Sequence, residues 1–567
     1  MCIWLGLQHC LLCATSIALL PIVFGPSMCM FDDDVGYQAK IMFTSSLYFV
    51  SGISTILQCT LGSRLPIVQG TTFTLIAPVI AVLSLPHNEC PNTNVGINNE
   101  TGHFLYNDTN GDVVDGVELW QRRMREIQGS LSVASITEFL IGVTGATTFI
   151  VRFVGPMTIA PAIALIGLDL FAVAYHEAEG HWGIAMFVIF AVTLFSQYLN
   201  NVQVPIPWFD KKRKWHFKRT KPFGLFPVLV TIILAYVLCH ILTVTNVLPD
   251  DPAVPGYAAR TDTKSHVVQN SPWFYFPYPG HWGLPIVSGA GFVGMSVAVF
   301  AGIVESIGDY YACAKLVGAP PPPPHAVTRG IMMEGLGCVF AGFVSGSGTT
   351  SYSNNIAAIG ITKVASRRVL IATGIILTLM GVFCKFGAIF VTIPTPIIGG
   401  IFCATFGMIG AVGISMLQFV DMNSPRNQYI LGFSLFMGLV IPEWMKANPG
   451  SIETGAVFLN QTIAVLLETA TFVGGFSAAL LDNTVPGTLE ERGIIAWKKS
   501  SGDATGDDDN FEVGKESYNL PFSTNWRFAK FFPIFPQFDK QIRFGKEEQN
   551  HNTEAAQLFD IDVETTC

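Results

Sequence analysis

GTTSYSNNIAAIGITK, residues 348–363, decides how the chain is read. It follows one apolar run, Ile331 to Val344, and precedes another, Val369 to Phe383. Between these membrane-grade segments Thr349, Thr350, Ser351, Tyr352, Ser353, Asn354 and Asn355 stand in consecutive places. In hydrocarbon an unpaired N–H or C=O costs several kcal/mol, so irregular polar backbone survives only against protein or a water-filled cavity. The stretch is also a poor helix former, because glycine and short polar side chains compete for the backbone's hydrogen bonds. It therefore predicts a broken span, extended at first and helical from near Asn354 or Asn355.

The rest of the chain supplies the membrane. Half of the 567 residues are hydrophobic, 13% are charged, and mean hydropathy is +0.46. A soluble domain carries about a quarter charged residues. Apolar segments long enough to cross about 30 Å of hydrocarbon recur throughout. They fall at 3–24, 40–61, 66–85, 128–148, 150–171, 182–200, 222–244, 284–310, 326–344, 349–363, 368–390, 397–418, 428–445 and 458–481, fourteen in all. The first opens without a basic stretch or a small-residue cleavage site, so it reads as a span and not as a signal peptide. No basic patch with interleaved aromatics points to nucleic acid. The twelve cysteines lie mostly inside apolar runs without paired C-x-x-C spacing, which argues against a metal site. Cys29 and Cys90 fall in external segments and could pair.

Two signals orient the spans. Lys211, Lys212, Arg213, Lys214, Lys218, Arg219 and Lys221 crowd one short loop, which the positive-inside rule places in the cytosol. Loop 86–127, on the other side, carries glycosylation sequons at Asn99 and Asn107. A third sequon, at Asn460, sits at a span edge, too close to the bilayer. Both termini are then cytosolic. An external loop, 246–283, separates a first seven-span repeat, 1–245, from a second, 284–486. An odd count per half inverts one half relative to the other, the condition for an inverted repeat. GTTFT (70–74), between Pro66 and Pro78, opens the third span as GTTSYS (348–353) opens the tenth, so both are expected to be broken. Residues 487–567 are polar, with GDATGDDDN inside, and read as a largely disordered cytosolic tail.

AGIVESIGDYYACAK (301–315) places Glu305 and Asp309 four apart, on one face of a predicted helix. Carboxyl groups inside a span face the bundle interior and mark ion or solute paths. No basic residue lies deep in any span to neutralise them, Lys385 being a partial exception. Gln8 and His9 are polar positions on an otherwise apolar first span.

ESIGDYYACAKLVGAPPPPPHAVTRGI (305–331), FVDMNSPRN (419–427), LDNTVPGTLEERGII (481–495) and LGLQH (5–9) closely resemble the animal branch of the nucleobase–ascorbate transporter family, the sodium-dependent vitamin C transporters and their nucleobase-carrying relatives. The resemblance runs from LGLQH to Glu491. It implies an all-α membrane protein of fourteen spans in two inverted repeats, a core domain moving against a gate domain, and a homodimer. The family signature falls on Asn354, Asn355, Thr362 and Lys363, with Asn354 where ascorbate members have Pro and nucleobase members Glu or Gln, and Ala357 in place of Gly. By the same resemblance Glu305 serves the substrate, Asp309 and His9 the sodium and proton network, and Phe73 stacks on the solute ring. Ser351, Ser353, Asn354 and Asn355 are expected to line the solute site.

The expected function is sodium-coupled symport of a small planar polar solute across the plasma membrane. L-ascorbate is favoured by whole-chain likeness, while the amide at 354 leans toward a purine or pyrimidine base. Sodium is a co-substrate and no other cofactor is expected. An anion exchanger or channel of the same fold would need a positive centre where this chain has two acids. No nucleotide loop, nucleophile–base pair or metal spacing suggests an enzyme.

Overall fold

The computed structural model describes residues 2–500 apart from 32, 92–93, 98–103, 108–112, 148–154, 211–213, 253 and 363–364, and in the tail 515–520 and 532–536. Asn99, Lys211, Lys212, Arg213 and Lys363 lie outside the described residues, as do the side chains of Asn107, Asn354, Ala357 and Thr362.

Helices dominate. The chain opens with α1 (Cys2–Phe24) and α2 (Asp34–Thr60), the latter capped by the Asp33 carboxylate accepting from Gly36 N at 2.7 Å. A short strand β1 (Gln69–Thr71) and one 3-10 turn lead into α3 (Ile76–Leu83). α4 (Gly116–Thr144) begins twelve residues before the span expected at 128, because the Asp115 side chain caps it by accepting from Val117 N. Next come α5 (Pro156–Leu168), α6 (Phe171–Glu179), α7 (Trp182–Thr193) and α8 (Pro227–Val244). The second half holds α9 (Gly289–Val317), α10 (Pro324–Val344), β2 (Thr349–Ser351) and α11 (Ser353–Thr362). It continues with α12 (Arg367–Val382), α13 (Lys385–Val391), α14 (Thr395–Ser415) and α15 (Pro425–Ala447). Then come α16 (Val457–Glu468) and α17 (Ala470–Thr484), followed by a short helix at Ile494–Ser500.

Among the described residues nine helical stretches are long and apolar enough to cross a membrane, or ten when the α16–α17 pair, bent by 82°, counts as one span. Large apolar side chains such as Met186, Phe190, Val237, Ile241 and Phe436 stand exposed on the outer faces of these helices, the surface a bilayer would cover.

Two helix bundles emerge from the packing. In the first, α2 and α12 lie together, α1 against both, α4 against α9 and α10, and α10 against α2. In the second, α14 packs on α5, α6 and α7, and α17 on α5 and α15. Each bundle therefore draws helices from both halves of the chain. α16 rests on α9 and α3 of the first bundle and also on α15 of the second, whereas α17, one residue further on, packs on α5 and α15. A disulfide between Cys29 and Cys90 (Cα–Cα 5.7 Å) ties the α1–α2 turn to the segment after α3 and settles the pairing that the sequence left open.

The basic loop forms a hairpin, Val204–Asp210 against Lys214–Thr220. In the tail, Tyr518 is buried: its hydroxyl donates to the Pro320 carbonyl and its own carbonyl accepts from Arg329 Nη2, each at 2.6 Å.

Candidate functional site

β1 and β2 meet as an antiparallel pair inside the first bundle, against α1, α2, α9 and α10, with Gln69 opposite Ser351, Gly70 opposite Thr350 and Thr71 opposite Thr349. The two polar stretches that the sequence set apart by almost 280 residues thus satisfy each other's backbone. The crossing is tight: a Cβ at Gly70 would sit 2.8 Å from the Tyr352 ring. From it the chain enters two helical starts. Thr72 caps the turn Phe73–Leu75 by accepting from Thr74 N at 3.1 Å, and Tyr352 O accepts from Asn355 N at 3.1 Å as α11 begins. The helix starts at Ser353, one residue before the expected position.

A cavity of about 320 Å³ lies against this crossing. The first bundle lines it with Phe73, Glu305, Ser351 and Ser353 among others, so four of the expected solute-site residues share one space. Glu305 is the charged residue among those lining it, and its Oε2 is buried without a hydrogen-bond partner. Such an acceptor is costly unless something donates to it. The second bundle contributes Ile401, Ala404 and Met408, an apolar wall. The Phe73 ring meets Phe406 of that wall edge-on, centroids 6.0 Å apart.

Asp309, His9 and Asn355 stand behind the cavity lining. Ser353 Oγ donates to both oxygens of Asp309 at 2.9 Å. Asn355 Nδ2 donates to the His9 carbonyl at 3.1 Å, while Asn355 Oδ1, His9 Nδ1 and Gln8 Nε2 are buried and unpaired. The solute-facing and the deeper residues are therefore linked through α11 itself.

Sequence reasoning missed a second carboxylate centre. Glu334, 1% exposed, accepts from Ser306 Oγ at 2.5 Å and from Tyr310 OH at 2.9 Å, and Gln58 Nε2 donates to that hydroxyl at 2.7 Å. Ser306 in turn accepts from Ser351 N at 3.3 Å, joining this network to the crossing. Glu138 is buried beside it on α4. Both acids lie within spans expected from the sequence, so the rule that singled out Glu305 and Asp309 would have found them. Lys385 donates to the carbonyls of Val268 and Gln269 in the connecting loop. Arg329, buried near the start of α10, donates to Gly62 O at 2.8 Å. Neither is bonded to these carboxylates.

Broken apolar segments meeting beside a partly open cavity suit the passage of a solute across a membrane, the work of a permease. The profile of the permease family matches residues 2–447. Solute carrier family 23 member 2 of Homo sapiens is 46% identical over 545 residues, covering 95% of this chain and 81% of that protein. Member 1 of the same family from Rattus norvegicus is 42% identical, covering 95% and 88%. Nucleobase-ascorbate transporter 1 of Arabidopsis thaliana is 32% identical, covering 93% and 94%. The chain belongs to the nucleobase–ascorbate transporter family, solute carrier family 23, on the side of its animal members. Among solved structures, the transmembrane domain of a cyanobacterium bicarbonate transporter aligns over 78% of this chain and 97% of its own at 12% identity, with a TM-score of 0.46.

Proposed function

We propose that this transporter is a sodium-coupled symporter importing a small planar polar solute, L-ascorbate in the first place. The observation that carries the reading is the unpaired Glu305 Oε2 facing the cavity beside two crossed polar strands. Glu305 accepts hydrogen bonds from the solute, Phe73 stacks on its ring, Ser351, Ser353 and Asn354 supply the remaining donors and acceptors, and Asn355, behind the lining, ties them to His9. Asp309, held by Ser353, and His9, reached through Asn355, form the sodium and proton network, so that occupancy of the cation site sets the position of α11 and of the solute groups on it. A hard carboxylate oxygen suits an alkali cation, and no fixed positive charge competes for it among the residues lining the cavity.

In this reading the chain forms fourteen spans as two inverted repeats, works as a homodimer in the plasma membrane and keeps both termini in the cytosol. The cavity reaches Asn200 and Gly224, the end that carries the basic hairpin, so the cavity opens to the cytosol. A second reading, nucleobase transport, rests on Asn354: an amide donates and accepts, as a lactam edge requires. An anion exchanger is disfavoured by the acids at the cavity.

Uptake of labelled ascorbate, uracil and xanthine, side by side with and without sodium, tests all of this. Sodium-dependent ascorbate uptake is expected. Sodium-dependent uptake of a base alone would transfer the assignment to the second reading, and uptake indifferent to sodium would end the symport model.

A further inference from the structure

The cavity has a second polar patch, on the bundle whose wall is otherwise mainly apolar. α7 does not end as a regular helix. Leu194–Tyr198 is one π turn, closed by a bond from Leu199 N to Leu194 O at 2.9 Å. A π turn is rare and inserts one residue, rotating the next turn by roughly 100° relative to an uninterrupted helix. LFSQYLNN contains no Pro or Gly that would force it. Its result is that Ser196, Gln197 and Asn200 all line the cavity, while Tyr198, 77% exposed, points away. Gln197 Nε2 donates to Ser196 Oγ at 3.3 Å, which holds the two side chains together. Asn200 closes on the neighbouring segment, where a Cβ at Gly224 would lie 2.7 Å from the Asn200 carbonyl.

Beside this patch the second bundle lines the cavity with the apolar Val192, Ile166, Ile401 and Met408, and with Thr405. A polar solute leaving Glu305 along this wall meets few hydrogen-bonding groups of the second bundle until it reaches the patch. Stripping its hydrogen bonds there is costly, and one site tight enough to hold it would not release it.

We propose that Ser196, Gln197 and Asn200 form a second solute station at the cytosolic end of the cavity, where the same solute pauses and is screened on its way out. This rests on the transport reading above. The station takes neutral or singly charged planar solutes whose edge alternates donors and acceptors, because an amide offers both in one plane. It holds no charge, so it binds weakly and releases readily.

The test compares wild type with Gln197→Ala, Asn200→Ala and Gln197→Asn. Uptake of labelled ascorbate, uracil and xanthine is measured at matched surface level, and thermal stabilisation of the purified protein by the same three solutes reports binding at the crossing. The station predicts that Gln197→Ala and Asn200→Ala keep the stabilisation but slow transport by roughly 5–30-fold, one or two hydrogen bonds' worth. Gln197→Asn, which keeps the amide, recovers at least half of the rate. Alanine variants that transport like wild type overturn the station, and so does loss of stabilisation together with transport, since the residues would then serve the central site or the fold. A wild type that carries none of the three solutes sinks the transport reading instead, a result that does not depend on the variants.

Discussion

The two faces that meet at the cavity are built on opposite principles. The first bundle presents a polar lattice: crossed strands, Ser353 on Asp309, Ser306 and Tyr310 on Glu334, Asn355 on the His9 carbonyl, with the Glu305 Oε2 left unpaired at its surface. The second presents mainly Ile401, Ala404 and Met408, with Phe406 touching Phe73 through ring edges, and keeps its polar groups to Thr405 and to Ser196, Gln197 and Asn200. Hydrogen bonds fix direction and break at a cost, whereas apolar contacts slide. In the proposed reading the central hydrogen bonds to solute belong to the first face, and the apolar part of the second can shift against it without breaking hydrogen bonds between the two.

The contrast between the faces breaks most directly at Glu305. Glu305→Gln is expected to lower solute uptake about 100-fold with surface expression intact, the loss for one charge-assisted hydrogen bond at a buried site. A comparable loss from Met408→Ala would show that the apolar wall recognises solute too and would collapse the distinction. Asp309→Asn is expected to raise the sodium concentration for half-maximal uptake roughly tenfold, with a smaller effect on maximal rate. Unchanged sodium dependence would remove Asp309 from the cation site. Asn354 sharpens the picture further. Asn354→Pro deletes an amide and a backbone N–H and fixes φ near −65°, and is expected to shift the ascorbate-to-base uptake ratio toward ascorbate about fivefold. Asn354→Glu is expected to shift it the other way. A ratio that stays put at matched surface expression would make residue 354 structural.

The smallest effect lies outside the membrane. Burial lowers the pKa of His281, whose ring packs 4.1 Å from Trp282 and whose Nδ1 is 2.7 Å from the Tyr278 carbonyl. Its folded pKa lies below the unfolded value near 6.5, so its neutral-state contribution is complete above that value and is lost as pH falls toward the folded pKa. Melting temperature should drop between pH 7 and pH 5, less so in His281→Gln. An equal drop in both proteins would place the acid sensitivity elsewhere.

Much of this was legible in the chain. GTTFT and GTTSYS announced the crossing because polar backbone in a membrane must be answered, and each stretch answers the other. Glu305, Phe73, Ser351 and Ser353 were found by residue type and resemblance, and they share the cavity. Glu334 and Glu138 were passed over although they obey the same rule, because they stand alone on their helices without an i, i+4 partner. The π turn at Leu194–Tyr198 has no composition of its own, since LFSQY reads as ordinary helix. The docking of Tyr518 was hidden because a single aromatic in a polar tail does not reveal the carbonyl and guanidinium that receive it.

The last span, bent by 82° at Thr469, has a mechanical consequence. Its first half packs chiefly on α9 of the first bundle, with α15 beside it, and its second half on α5 and α15 of the second, with one residue between them. A second short joint, Thr392 to Pro394, links α13 of the first bundle to α14 of the second. Two pins define a line. Any rigid rotation of one bundle against the other that keeps the chain intact must turn about an axis passing close to both joints, as a door turns on two hinges. Probe pairs placed near Thr469 and Thr392 would then record almost no change through the transport cycle, and those at the cavity's far rim, by Asn200, the largest.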